Sequence, residues 1–84
     1  MDEIKKAVQD YILQEFLPGE DPQELTDQTP LITGGILDSI STLKLVVFLE
    51  ERFGVTVEAH EAGIEHLDSV CRIVKLIDRK KQAA

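Results

Sequence analysis

Ser39 stands where a glycine-bearing stretch meets a long apolar helical segment, in the run Gly34-Gly35-Ile36-Leu37-Asp38-Ser39-Ile40. A hydroxyl at such a junction is open to a second protein, because the glycine side carries no bulk. A helix start also presents unpaired backbone N–H groups and the positive end of the macrodipole, and both favour a phosphate. These residue types in this order suit a serine that carries a phosphodiester. Asp38 belongs to the small set of side chains that cap helix N-termini by accepting backbone N–H donors.

The elements that must position this serine are helical by periodicity. Segment one runs from about Asp2 to Phe16, with Ile4, Ala7, Val8, Tyr11, Ile12 and Phe16 on one stripe. Leu17-Pro18-Gly19 ends it. Residues 18–37 form a long connection broken by Pro18, Gly19, Pro22, Pro30, Gly34 and Gly35. So long a loop must pack, with Leu25, Leu31, Ile32 and Leu37 as its anchors and a short helical turn near Pro22–Leu25.

Segment two runs from about Ser39 to Phe53, with Asp38 as N-cap and Gly54 as terminator. Leu45, Val46, Leu49 and Phe53 form a core stripe that Phe48 widens. Ile40, Leu43 and Val47 form a second apolar stripe that starts one residue after Ser39. A domain this small cannot bury both, so the second stripe is a candidate partner surface. Val55-Thr56-Val57 reads as an extended link, and Glu58–Gly63 as one short helix that Gly63 ends. Segment three is expected from about Leu67 to Lys80, with Leu67, Val70, Cys71, Val74 and Ile77 inward and either His66 or Asp68 as cap. The sum is an all-α bundle of three main helices and one short helix with a long first loop, in one domain spanning residues 1–84.

The segments Leu31–Ile40 and Phe48–Val55 resemble the loop and the second-helix exit of acyl and peptidyl (aminoacyl) carrier proteins. In that family 4′-phosphopantetheine is joined to the serine of an Asp-Ser-Leu or Asp-Ser-Ile triplet, which here is Asp38-Ser39-Ile40. The resemblance implies a right-handed four-helix bundle whose third helix is short. It implies a covalent phosphopantetheine arm on Ser39, with Asp38 assisting transferase recognition. It implies no catalysis by the chain itself. Implied partners are a phosphopantetheinyl transferase, a ligase that loads an acyl or aminoacyl group, and downstream synthase or transferase enzymes. Ile40, Leu43, Val47, Glu50 and Glu51 are the candidate contact residues. The loop reads Gly-Ile-Leu-Asp-Ser, and Ser41 and Lys44 stand where fatty-acid synthase carriers are strongly acidic. This looks more like a stand-alone carrier serving adenylating ligases, nonribosomal peptide or polyketide pathways, or D-alanyl transfer. An unmodified acidic adaptor that binds partners through Ile40, Leu43 and Val47 is the alternative.

Composition agrees and excludes other classes. Sixteen acidic against nine basic side chains leave a net charge of −7, which opposes nucleic-acid binding and suits basic partner surfaces. The single Cys71 excludes an internal disulfide and reads as a buried small hydrophobe. His60 and His66 among Glu58, Glu61 and Glu65 read as a solvated acidic patch rather than a metal site. Without a signal-like start or a run of about 20 apolar residues, a cytoplasmic monomer with no membrane span is expected.

Overall fold

The computed structural model describes residues 2–19, 23 and 25–83, apart from the side chains of Asp2 and Ala83. Helix α1 spans Asp2–Phe16. It buries Ile4, Val8 and Ile12, with Ala7, Tyr11 and Phe16 half-buried along its edges. It stops ahead of Pro18, as the steric conflict of a proline with the preceding residue requires.

The first loop packs as its anchors predict. Leu25, Leu31 and Leu37 are buried and Ile32 is half-buried. The short helical turn expected near Pro22–Leu25 lies largely outside the described residues. The loop is tied at several points to the C-terminal half of the chain: the Cys71 N–H donates to the Asp27 carbonyl at 3.1 Å, and the Leu31 N–H to the Asp68 carbonyl at 2.6 Å.

Helix α2 spans Ser39–Phe53, with Asp38 as N-cap and a left-handed Gly54 as C-cap (φ 67°). Leu45 and Leu49 are fully buried, and Val46, Phe48 and Phe53 pack at the margin of the core. The chain then extends through Val55-Thr56-Val57 with Val57 buried.

The next stretch departs from expectation. Glu58–Gly63 does not form one helix. It holds a 3-10 turn over Ala59–Glu61, and helix α3 follows at Ile64–Leu67. Gly63 therefore starts a helix rather than ending one, and its carbonyl accepts the N–H groups of His66 and Leu67. The segment expected as continuous from Leu67 breaks at Asp68-Ser69, and helix α4 spans Val70–Ala83. Neither His66 nor Asp68 caps it. Ser69 does, through its hydroxyl to the Arg72 N–H and its carbonyl to the Ile73 N–H. The inward face of α4 is wider than the stripe read from sequence: Ile73 and Leu76 are buried beside Val70, Val74 and Ile77, whereas Cys71 is only half-buried.

The result is an all-α fold with three long helices and one short one, and no strand among the described residues. Helix α4 packs against α1, α2 and α3, so one core joins every element. None of the helices is long and apolar enough to cross a membrane among the described residues.

Candidate carrier site

Ser39 is the first residue of α2 and its side chain is exposed. Asp38 before it is extended (φ −93°, ψ −171°), which turns the chain into the helix. Its carboxylate accepts the Ser41 N–H at 2.7 Å, and its carbonyl accepts both the Thr42 N–H and the Thr42 hydroxyl. The Ser41 and Thr42 donors are therefore occupied by Asp38 itself. The bond from Ser41 holds the Asp38 carboxyl below its ordinary range. A phosphodiester on Ser39 would share the helix end with this carboxylate and project outward.

The loop wall beside Ser39 is tightly turned. The Leu37 N–H reaches the Leu31 carbonyl at 2.8 Å, and the Gly35 N–H reaches that of Ile32 at 3.1 Å. Gly34 is required here by space, because a Cβ would collide with the Pro30 carbonyl oxygen.

Two grooves border α2. One of about 510 Å³ runs from Leu37, Asp38 and Ser39 across Thr42 and Leu43 to Gly63 and Ile64. The other, of about 450 Å³, lies between α1 and α2 and is lined by Tyr11, Ile40, Leu43, Val47 and Phe48, with Lys44 and Glu51 at its edges. The second apolar stripe is exposed: Ile40 66%, Leu43 63% and Val47 51%. Ile64, 50% exposed, extends this surface onto α3. Sequence reasoning missed it, because its neighbours read as a helix ended by Gly63. An exposed apolar surface that begins beside an exposed serine fits a tethered group and the proteins that must handle it.

The two carboxylates assigned to this surface separate. Glu51 is exposed beside the groove. Glu50 is half-buried, and its carboxylate accepts the Val57 N–H at 2.9 Å, so it secures the exit from α2. His60 is exposed and His66 half-buried, and no metal-holding group occurs among the described residues.

The family described as "Phosphopantetheine attachment site" matches residues 12–75, which include Asp38, Ser39 and both grooves except Tyr11. The chain belongs to that family. It is a carrier protein, not an enzyme, and its cofactor is a covalent 4′-phosphopantetheine. The exposed serine and the groove that opens beside it fit that group. A D-alanyl carrier protein of Streptococcus suis (strain 98HAH33) is 35% identical to this carrier protein over 72 residues, covering 86% of this chain and 87% of the relative. A D-alanyl carrier protein of Streptococcus sanguinis (strain SK36) is 32% identical, covering 96% and 99%. A chain in a solved structure described as "Crystal structure of FAD-dependent dehydrogenase" superposes with a TM-score of 0.75 at 33% identity, covering 83% of this chain and 97% of that one.

Proposed function

We propose that Ser39 bears the phosphopantetheine arm and that the cargo is an aminoacyl group, with D-alanine the first amino acid to test. The observation that carries the attachment site is the exposed Ser39 side chain at the first position of α2, capped by Asp38 and flanked by the Ile40, Leu43 and Ile64 shelf. The D-alanyl carrier relatives, which align over most of this chain, support the aminoacyl cargo. The arm supplies a terminal thiol that holds the cargo as a thioester.

The chain's own residues then do three things. Asp38 fixes the helix start, so that the Ser39 hydroxyl projects from a rigid first turn. The exposed stripe provides apolar anchors for a phosphopantetheinyl transferase, for an aminoacyl-loading ligase and for the downstream transferase. Lys44 and Glu51 provide a charged rim around it. Such a surface is small, which suits partners that must release the carrier after each step. The tether raises the local concentration of cargo at each docked active site. The 84 residues act as a single carrier domain in a dedicated pathway.

The test is intact mass after incubation with a broad-specificity phosphopantetheinyl transferase and coenzyme A, on wild type and Ser39→Ala. Wild type alone should gain one phosphopantetheine. Equal gain on Ser39→Ala would overturn the site. No gain on folded wild type would favour the unmodified-adaptor reading. Presenting the loaded-arm protein to an adenylating D-alanine ligase with ATP, against malonyl and long-chain acyl donors in parallel, then tests the cargo. Preferential charging with malonyl or long-chain groups would sink the aminoacyl assignment.

A further inference from the structure

Asp68 lies 29 positions after Ser39 in the sequence, yet it is the residue that fastens the loop leading to Ser39. One carboxylate oxygen accepts the N–H groups of Ile32 at 2.8 Å and Thr33 at 2.9 Å. The other accepts the Thr33 hydroxyl at 3.0 Å. Its carbonyl accepts the Leu31 N–H, and Leu31 in turn accepts the Leu37 N–H just ahead of Asp38. Asp68 is itself held from behind, because Leu67 is fully buried and Ser69 is a buried cap of α4.

The same junction also fixes the opposite wall of the groove beside Ser39. The Arg72 guanidinium, one turn into α4, donates to the Ile64 carbonyl at 3.0 Å. Ile32, Leu37 and Ser39 on one side and Gly63 and Ile64 on the other thus face each other across a gap set at the α3–α4 junction.

We propose that Asp68 is a positioning residue for the carrier reaction: by clamping residues 31–33 to the α3–α4 junction it sets Ser39 against the Ile64 wall in the arrangement that partner enzymes engage. This inference rests on Ser39 being the attachment residue. Without the Asp68 carboxylate the fold persists, because the core residues of α1, α2 and α4 and the buried Leu31 and Leu37 do not depend on it, but residues 32–33 lose their tie to the α3–α4 junction and the groove wall loosens. The partner must then restore the arrangement on docking, and that cost falls on KM for the carrier rather than on kcat. A tenfold rise in KM corresponds to about 1.4 kcal/mol, the scale of ordering one or two side chains at an interface.

The experiment is steady-state kinetics of phosphopantetheine transfer from coenzyme A, with the carrier as varied substrate. It compares wild type, Asp68→Asn, Asp68→Ala, Thr33→Val and Val8→Ala, the last a core variant of α1 remote from the clamp. Asp68→Ala should raise KM by about tenfold with kcat within about twofold; Asp68→Asn, which keeps one accepting oxygen, and Thr33→Val should fall between it and wild type. Val8→Ala, though less stable, should keep the wild-type KM. Equal KM values for wild type and both Asp68 variants would overturn the proposal and leave Ser39 in place as the site. A KM increase in Val8→Ala equal to that in Asp68→Ala would overturn it too, by showing that lost stability alone explains the effect. Failure to modify wild type at Ser39 would remove the attachment reading, and this inference with it.

Discussion

The Tyr11 ring lies flat against Phe48, with centroids 4.0 Å apart and planes 9° from parallel. The stack joins α1 to α2 under the groove that Ile40, Leu43 and Val47 line. Phe16 and Phe53 meet it edge-on, at 5.6 Å from Tyr11 and 6.3 Å from Phe48. The Tyr11 hydroxyl donates to the Lys44 carbonyl at 3.2 Å, which adds a polar tie across the same pair of helices. Because both rings are only half-buried, Phe48→Ala should cost about 2–3 kcal/mol, below the range for a fully buried phenylalanine. A double-mutant cycle with Tyr11→Ala should return a coupling of about 0.5–1.5 kcal/mol beyond the area lost. Urea unfolding of the four proteins measures it, and additive losses would show that the stack contributes no more than burial.

Tyr11 also sets an alkaline limit. Burial raises its phenol above the ordinary value of 10.0, with the nearby Glu15 charge adding to the effect. A raised folded-state value means stability that is complete below pH 10.0 and lost as pH climbs through the folded-state value. Tyr11→Phe should lose this alkaline dependence while costing about 0.5–1.5 kcal/mol at neutral pH for the missing hydrogen bond. Unfolding midpoints for both proteins across the alkaline range decide it.

Acid has the opposite sign. The Thr33 backbone bond lowers the Asp68 carboxyl, the Lys80 ammonium lowers Glu61, and the Ser41 bond lowers Asp38. A lowered folded-state value means stability present above the ordinary carboxylate range and lost as pH falls below it through the folded-state values. Ordinary values here are 3.8 for aspartate and 4.5 for glutamate. Wild type should therefore hold its melting temperature down to the ordinary range and lose it steeply beneath. Asp68→Asn should be less stable at neutral pH and show a shallower acid loss. Parallel acid curves for the two proteins would mean that the clamp does not depend on the Asp68 charge.

Gly34 yields a purely steric prediction. A Cβ there collides with backbone rather than with a yielding side chain, so Gly34→Ala must open the turn at Pro30. The expected cost is about 1–3 kcal/mol, as for other forced overpacking. Thermal unfolding measures it, and an unchanged melting temperature would show that the turn relaxes freely.

Much of this structure was legible in the sequence because helical periodicity reports burial directly. The bounds of α1 and α2, the Asp38 and Gly54 caps and the anchoring role of Leu25, Leu31 and Leu37 all follow from local pattern. The family followed from Asp38-Ser39-Ile40 and its flanks. What local pattern could not supply was the use of polar side chains across long sequence separations. Asp68 reads as one of two candidate helix caps beside His66, yet its carboxylate's partners lie 35 and 36 positions earlier. Glu50 reads as surface charge, yet it closes the exit of α2 onto Val57. Gly63 reads as a stop, and only the bonds from His66 and Leu67 show it to be a start. At Asp68 a tertiary hydrogen bond overrode a local preference, at Glu50 a bond across the helix exit did, and at Gly63 the chain started a new helix where a stop was expected.

The exposed stripe permits a separation of stability from recognition. Leu43 is largely in solvent and borders both grooves, so Leu43→Ser removes little core contact and should shift stability by no more than about 0.5 kcal/mol. If Leu43 is an anchor for the loading ligase, the same change should lower kcat/KM for charging by about tenfold, the effect of losing one interface contact worth 1–2 kcal/mol. Val47 lies one turn further from Ser39 and borders the groove between α1 and α2 but not the one beside Ser39. Val47→Ser therefore reports on whether the partner reaches over α1. A large loss at both positions means one continuous footprint along α2. A loss at Leu43 alone confines the footprint to the Ser39–Ile64 groove. Neither change affecting charging, in proteins whose unfolding curves match wild type, would remove the stripe from the partner surface.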